Sequence, residues 1–290
     1  MQLTLKTGTE FGTFYLSFKI LHSGIVFFKT IIMKKDIYGL MMCFSFCIFF
    51  SAPLSAQVTA IGVNGGISVP QLRSSGNNEL SEGYESRLAA TFGLFADLGI
   101  TQQFSVKVAV NYAGQGGKRQ GMQPVTAIPP DLSQLLSPGT MLYADFKNEA
   151  ILNYLEIPVT AKFTWGDKLK YYINAGPYAG ILLSATQKTE GTSPFYLDKA
   201  GTQPLGIQGH PMPAQSFRAD IDIKKDINPI NFGLTGGIGL TYPLGEASEI
   251  ILDARGAYGL TSIQKDTKAN GKSHTGGLFL TLGYAYLFKR

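Results

Sequence analysis

Reactive and metal-binding side chains are scarce in this sequence. Its 290 residues include two cysteines, three histidines and one tryptophan, and only 16% of them are charged. Both cysteines, Cys43 and Cys47, lie before Gln57, and neither follows the small residues that a lipoprotein cleavage site needs. The rest of the chain has no thiol, which excludes disulfides, thiolate metal sites and cysteine nucleophiles there. A basic stripe is also missing. Five basic residues (Lys6, Lys19, Lys29, Lys34 and Lys35) and two acids (Glu10 and Asp36) lie in the first 56 positions. From totals of 25 Lys and Arg and 20 Asp and Glu, that leaves 20 against 18, so the formal charge of +5 falls to +2. With no stripe to track phosphates, nucleic acid is not an expected partner.

Glycine and aromatics are abundant instead, with 34 Gly, 14 Tyr and 19 Phe. An average chain has about 25% charged residues and about 7% Gly. A chain poor in charge and rich in glycine and aromatics suits an antiparallel barrel with one face in lipid and a crowded interior.

The N-terminal region reads as targeting sequence. Lys34 and Lys35 follow Met33, Ile37–Phe50 is an apolar run, and Ser55-Ala56 precedes Gln57. That is the three-part order of a secretory signal peptide. The run is short for a spanning helix, which needs roughly 20 residues. The expected organisation is an upstream extension over 1–32 ahead of a start at Met33, a signal peptide over 33–56, and a barrel domain over 57–290.

After Gln57 the hydrophobic period is two, the strand signal. Eight segments carry it: Val58–Val69, Leu88–Leu98, Phe104–Ala113, Asn153–Trp165, Lys170–Ala185, Ile230–Leu244, Glu249–Leu260 and Thr275–Phe288. Connections alternate between short ones (Gly99–Gln103, Gly166–Leu169, the turn at Gly245-Glu246) and long ones (Pro70–Arg87, Gly114–Leu152, Thr186–Pro229, Thr261–His274). Short turns at one end and long loops at the other mark outer-membrane barrels. The predicted fold is all-β, an eight-stranded antiparallel up-and-down transmembrane β-barrel.

Alternation separates the faces. Leu278, Leu280, Leu282, Tyr284, Tyr286 and Phe288 share one face of the last segment, and Gly277, Phe279, Thr281 and Gly283 the other. Glu156, Lys162, Asp253 and Arg255 oppose the apolar faces of their own segments, so the apolar faces point outward into lipid. Phe104, Trp165, Tyr171, Tyr242, Tyr286 and Phe288 lie on the apolar faces near the short turns, as an aromatic girdle would. Glycine favours the inward faces, where an eight-stranded barrel has room only for side chains. Pro158 and Pro177 fall within strands and cannot donate to the ladder, so a bulge or kink is expected there.

Tyr154-Leu155-Glu156-Ile157-Pro158 with Lys162, then Ala175-Gly176-Pro177-Tyr178, then Leu252-Asp253-Ala254-Arg255 with Tyr258-Gly259-Leu260, resemble the PorT-like family of outer-membrane β-barrel proteins. The resemblance spans roughly Gln57–Arg290. It implies an eight-stranded barrel in the cell outer membrane. The family's namesake is linked to a protein-secretion system and surface motility, a role that barrel motifs alone do not transfer.

Chemical motifs are weak. His210 lies between Gly209 and Pro211, and His274 follows Ser273; no third group is fixed beside them by spacing, so no catalytic residue is assigned. Gly271-Lys272-Ser273 lacks the first glycine of a phosphate loop, because position 266 is Asp266. Asp220, Asp222 and Asp226 lack calcium-loop spacing and read as a solvated loop edge. No metal site or cofactor is assigned.

Six charges are expected to project inward: Asp97, Lys107, Glu156, Lys162, Asp253 and Arg255. They sum to zero, whereas an ion-selective pore favours a ring of one sign. The expectation is a plugged lumen with Arg255 bridging to Glu156 or Asp253. The function expected is non-enzymatic: a binding, structural or secretion-associated role carried by long extracellular loops. The alternatives are a small channel, an outer-membrane lipid-modifying enzyme and a soluble ligand-carrying barrel. Expected partners are outer-membrane lipid, the barrel-assembly machinery during biogenesis, and a secretion-system or extracellular partner that the sequence does not name. Mass spectrometry of the membrane-inserted protein is expected to give an N-terminus at Gln57; an intact Met1 in that product would refute the leader.

Overall fold

The computed structural model describes residues 2–7, 14–19, 57–75, 78–126, 128, 130–134, 136–207 and 210–288. The chain divides into two units, Met1–Ser55 and Ala56–Arg290. In the first, Gln2–Thr7 pairs antiparallel with Phe14–Lys19, Leu5 opposite Leu16. The expected signal peptide, 33–56, lies outside the described residues.

In the second unit eight strands close a ring. They are β1 (Gln57–Ser75), β2 (Ala89–Gly99), β3 (Phe104–Pro124), β4 (Tyr143–Trp165), β5 (Lys170–Ser193), β6 (Ile230–Pro243), β7 (Ser248–Gly259) and β8 (Lys272–Leu287). Each pairs antiparallel with the next. β8 returns to β1, with Leu282 opposite Gly65. This is the expected eight-stranded up-and-down barrel.

The faces divide as the alternation requires. Leu278, Leu280 and Leu282 are 67%, 49% and 60% exposed, while Phe279 and Thr281 between them are buried. The exposed side is the apolar one, which inverts the polarity of a water-soluble barrel. Inside, glycine makes room for rings. A Cβ at Gly62 would collide with Phe95, at Gly233 with Tyr178, and at Gly239 with Tyr172. The β4–β5 turn needs Gly166 for another reason, its φ of 101°, a region that side chains bearing a Cβ rarely adopt.

Two expectations need correction. Two of the long connections contain long extensions of the barrel strands. β3 runs to Pro124, and its outer part pairs with β4 from Gly114↔Asn153 to Pro124↔Tyr143. β5 runs to Ser193 and is flanked there by a further strand, Gln215–Asp222. Above the membrane both faces of a strand are polar or covered by loops, so the apolar alternation fades while the hydrogen-bonded ladder continues. The second correction concerns Pro158 and Pro177. No register slip occurs at either. Pairing of β4 with β5 is interrupted between Pro158↔Tyr178 and Ala161↔Ala175 in unchanged register, and the slip lies at Asn153/Tyr154. Proline removes a donor, and intact ladder on both sides holds the strands in place.

A charge placed on the lipid face near mid-membrane costs about 2–4 kcal/mol in barrels of this kind. Val108→Lys and Leu280→Lys are each expected to lower unfolding free energy by that order, measured by urea titration in lipid vesicles. A change within the error of wild type at both positions would place those faces somewhere other than in lipid.

Candidate functional site

The barrel interior gathers most of the buried charges among the described residues, and it is layered. Nearest the short turns, Lys162 Nζ meets Asp97 Oδ2 at 2.6 Å, with both side chains almost fully buried. Their strands are not neighbours. β3 stands between them, and Lys107 on β3 is the register partner of Asp97. Lys107 turns instead over the Phe95 ring, 4.1 Å from its centroid. Lys162 also sits 4.6 Å over Tyr172. The Tyr172 hydroxyl donates to Asp253 Oδ2 at 2.6 Å.

The next layer is built on Glu156. Gln115 Nε2 donates to Glu156 Oε1 at 2.7 Å, and Arg255 lies 4.0 Å from Glu156 Oε2. The Arg255 guanidinium covers the Phe279 ring at 4.5 Å. Of the two partners expected for Arg255, the structure sets Glu156 beside it and gives Asp253 to Tyr172. Between these layers lies a cavity of about 40 Å³, lined by Lys107, Asn111, Asn174, Asp253, Arg255 and Thr281 among others. At roughly 10–15 Å³ for each water, that is space for a few water molecules.

An apolar layer covers the polar ones at the long-loop end. Leu72, Leu152, Tyr154, Leu182 and Ala185 project from the strands and pack with Ile227 and Ile263 from two loops. Those loops are tied together. Asn228 N donates to Ile263 O at 2.7 Å, and Asn228 Nδ2 donates to Ser262 O at 2.8 Å. Ile227 and Ile263 are 3% and 1% exposed, and together they form a lid over the barrel mouth.

All six charges expected inside do face the interior, but they fall in two layers, not one cluster. Glu249 was missed. It is buried on β7 and shares the inward parity of Asp253, so alternation alone marks it. Gln115 was missed because its segment read as loop. Ile227 and Ile263 gave no periodic signal. The six aromatics expected in a girdle, Phe104, Trp165, Tyr171, Tyr242, Tyr286 and Phe288, are all exposed on the outward face. Trp165 stacks with Tyr171 at 6.1 Å, and Tyr286 meets Phe288 edge-on at 5.3 Å. His210 sits in a two-residue strand pairing with Gly206-Ile207, while His274 lies opposite Arg73 on β8.

A family model described as outer membrane protein beta-barrel domain matches residues 55–265. No curated protein matches the chain. Among solved structures, the attachment invasion locus protein Ail of Yersinia pestis, in complex with the heparin analogue sucrose octasulfate, is 14% identical with a TM-score of 0.33, covering 79% of this chain and 99% of that one. The outer membrane protein OprG of Pseudomonas aeruginosa is 12% identical with a TM-score of 0.33, covering 81% and 98%. The outer membrane protease OmpT of Escherichia coli is 11% identical with a TM-score of 0.40, covering 82% and 99%.

Removing one partner of a buried ion pair typically costs about 3–5 kcal/mol, because the other charge is left uncompensated. Asp97→Asn is expected to destabilise the barrel by that order in urea unfolding. Lys162→Met added to it should recover part of the loss. Equal and fully additive losses would mean that the two side chains do not act as a pair.

Proposed function

We propose that this chain, which belongs to the outer membrane protein beta-barrel domain family and lies in the outer membrane, is a closed, non-enzymatic barrel that works through its external β-sheet. The observation that carries this reading is the two-tier closure of the lumen. The Ile227–Ile263 lid covers the outer mouth, and the Lys162–Asp97 pair, with Tyr172 and Asp253, spans the interior near the other end. A solute path would have to break both. The charges between them are paired or seated on rings, as desolvated charges in a narrow lumen must be.

With the interior occupied, the accessible surface lies outside. There β3, β4 and β5 outgrow the membrane. Their 21, 23 and 24 residues exceed the roughly 9–11 that a tilted spanning strand needs. The extension has its own apolar core of Leu132, Leu142, Ala144, Phe146, Phe195 and Leu205, so it is a folded platform and not a set of loose loops. A platform of this kind suits a binding role. Within the family, the motifs at Tyr154–Pro158, Ala175–Tyr178 and Leu252–Arg255 favour a place beside the PorT-like barrels. During biogenesis the partner is the barrel-assembly machinery, and afterwards the lipid of the outer membrane.

Planar-bilayer recording tests the closure. Wild-type protein is expected to show no steady conductance. Ile227→Ala is expected to leave it silent, because the ion-pair layer still closes the barrel below. Steady current through the wild type, unchanged by Arg255→Ala, would replace the closed barrel with a small channel.

A further inference from the structure

Closure of the ring removes strand edges inside the membrane but creates one above it. β6 begins at Ile230, opposite Ile181, whereas β5 continues to Ser193. Gln215–Asp222 takes the flank that β6 leaves open, from Asp222 opposite Thr186 to Gln215 opposite Ser193. Among the described residues it ends the sheet on that side. An edge strand presents a row of main-chain donors and acceptors that can template a further strand.

The side chains on this edge form a pattern. On the outer face, Lys118, Glu149, Lys188 and Asp220 stand in one cross-strand row, and Gln120, Lys147, Glu190 and Arg218 in the next. Charge alternates in sign along the first row and, after the neutral Gln120, along the second, and the rows end on Asp220 and Arg218, both exposed. On the opposite face Phe217 stacks on Phe146 at 5.0 Å and meets Phe195 edge-on at 5.6 Å. Ile221 has the same parity and is 48% exposed. Phe217 through Ile221 thus offers apolar, basic, small, acidic and apolar positions in succession.

We propose that this edge docks an extended peptide segment of a partner protein, added antiparallel as the next strand and carrying the order apolar, basic, any, acidic, apolar. The basic residue lands opposite Asp220 and continues the alternation of its row. The acidic residue lands opposite Arg218. The two apolar residues cover Ile221 and Phe217. Main-chain bonds supply attachment in such strand addition, and alternate side chains supply selectivity. The inference rests on the reading of the external sheet as the working part of the molecule.

A second copy of the chain is not the occupant, although Phe217–Ile221 satisfies its own pattern. The two-fold axis of an antiparallel strand pair runs normal to the sheet. In a sheet that continues membrane-crossing strands, that axis lies in the membrane plane. It would turn the second barrel upside down, which one membrane does not allow.

A free peptide escapes that restriction, so the octapeptide with the sequence of Gln215–Asp222 is the probe. Labelled peptide is titrated against the full chain in detergent micelles and followed by fluorescence anisotropy. Saturable binding is expected, and it should vanish when the peptide's alanine is replaced by proline, which breaks strand pairing. Asp220→Lys in the protein should weaken binding about tenfold by setting like charges opposite. A peptide with its arginine replaced by glutamate should restore it. If Asp220→Lys fails to fold, as judged by heat-modifiable gel migration, the glutamate peptide against wild type makes the same test, with about tenfold weakening expected. Absence of saturable binding, or binding indifferent to these charge changes, overturns the proposal. A barrel silent in bilayers that binds no peptide refutes this inference alone; a conducting one refutes the closed-barrel reading.

Discussion

Satisfaction of the backbone in hydrocarbon governs this structure. An unpaired N–H or C=O in lipid costs several kcal/mol, and only a helix or a closed barrel satisfies them all. β8 therefore has to return to β1, and its 16-residue register from Lys272↔Ser75 to Leu287↔Ala60 closes the ring. Once it closes, every other feature is a matter of two surfaces. The outward one must dissolve in lipid. The inward one must fill a space about as wide as its own side chains. Glycine at Gly62, Gly233 and Gly239 beneath Phe95, Tyr178 and Tyr172 solves the second problem.

A narrow interior surrounded by lipid also constrains charge. Lys162 and Asp97 are held at 2.6 Å where almost no solvent reaches. Such a pair is weak evidence of added stability, since desolvation offsets much of the attraction. Its geometric consequence is firmer. It ties β2 to β4 across β3 and sets a polar bar across the lumen. Tyr172 serves both sides of that bar, with its ring under Lys162 and its hydroxyl on Asp253. An aromatic ring under Lys107 seats one further cation without an ion pair of its own, and the ring under Arg255 adds to its contact with Glu156.

How much of this was legible depends on whether lipid or protein imposed the pattern. Lipid imposes period two, so all eight strands, their faces and the six aromatics at the short-turn end could be read from residues such as Leu278–Phe288. The inward charges followed from the same parity, and Glu249 would have followed too. Partner choice did not. Lys107 is the register neighbour of Asp97, yet Lys162, one strand further on, makes the bond; only the curvature of the closed ring brings it near. The lid was invisible for a related reason. Ile227 and Ile263 are single apolar residues in polar loops, and their contact is made across 36 positions of chain. The outer reaches of β3 and β5 were read as loop because neither face there meets lipid.

The same rule that hides those extensions explains the strand beside them. A closed ring needs equal neighbours only over the thickness of the membrane. Beyond it, a strand that outruns its neighbour exposes a flank. β5 outruns β6 by the stretch after Ile181, and the chain fills that flank with Gln215–Asp222. The repair moves the open edge one strand outward and does not remove it. In water an open edge is tolerable when charges keep indiscriminate pairing away, and Arg218, Asp220 and Asp222 are set along this one. Arg218 and Asp220, opposite in sign, do more than repel. They continue the cross-strand rows of Lys188 and Glu190, so an incoming strand meets a defined sequence of charges and not a uniform field. An edge protected in this way rejects most segments and accepts those of matching order, which is the condition for specific strand addition.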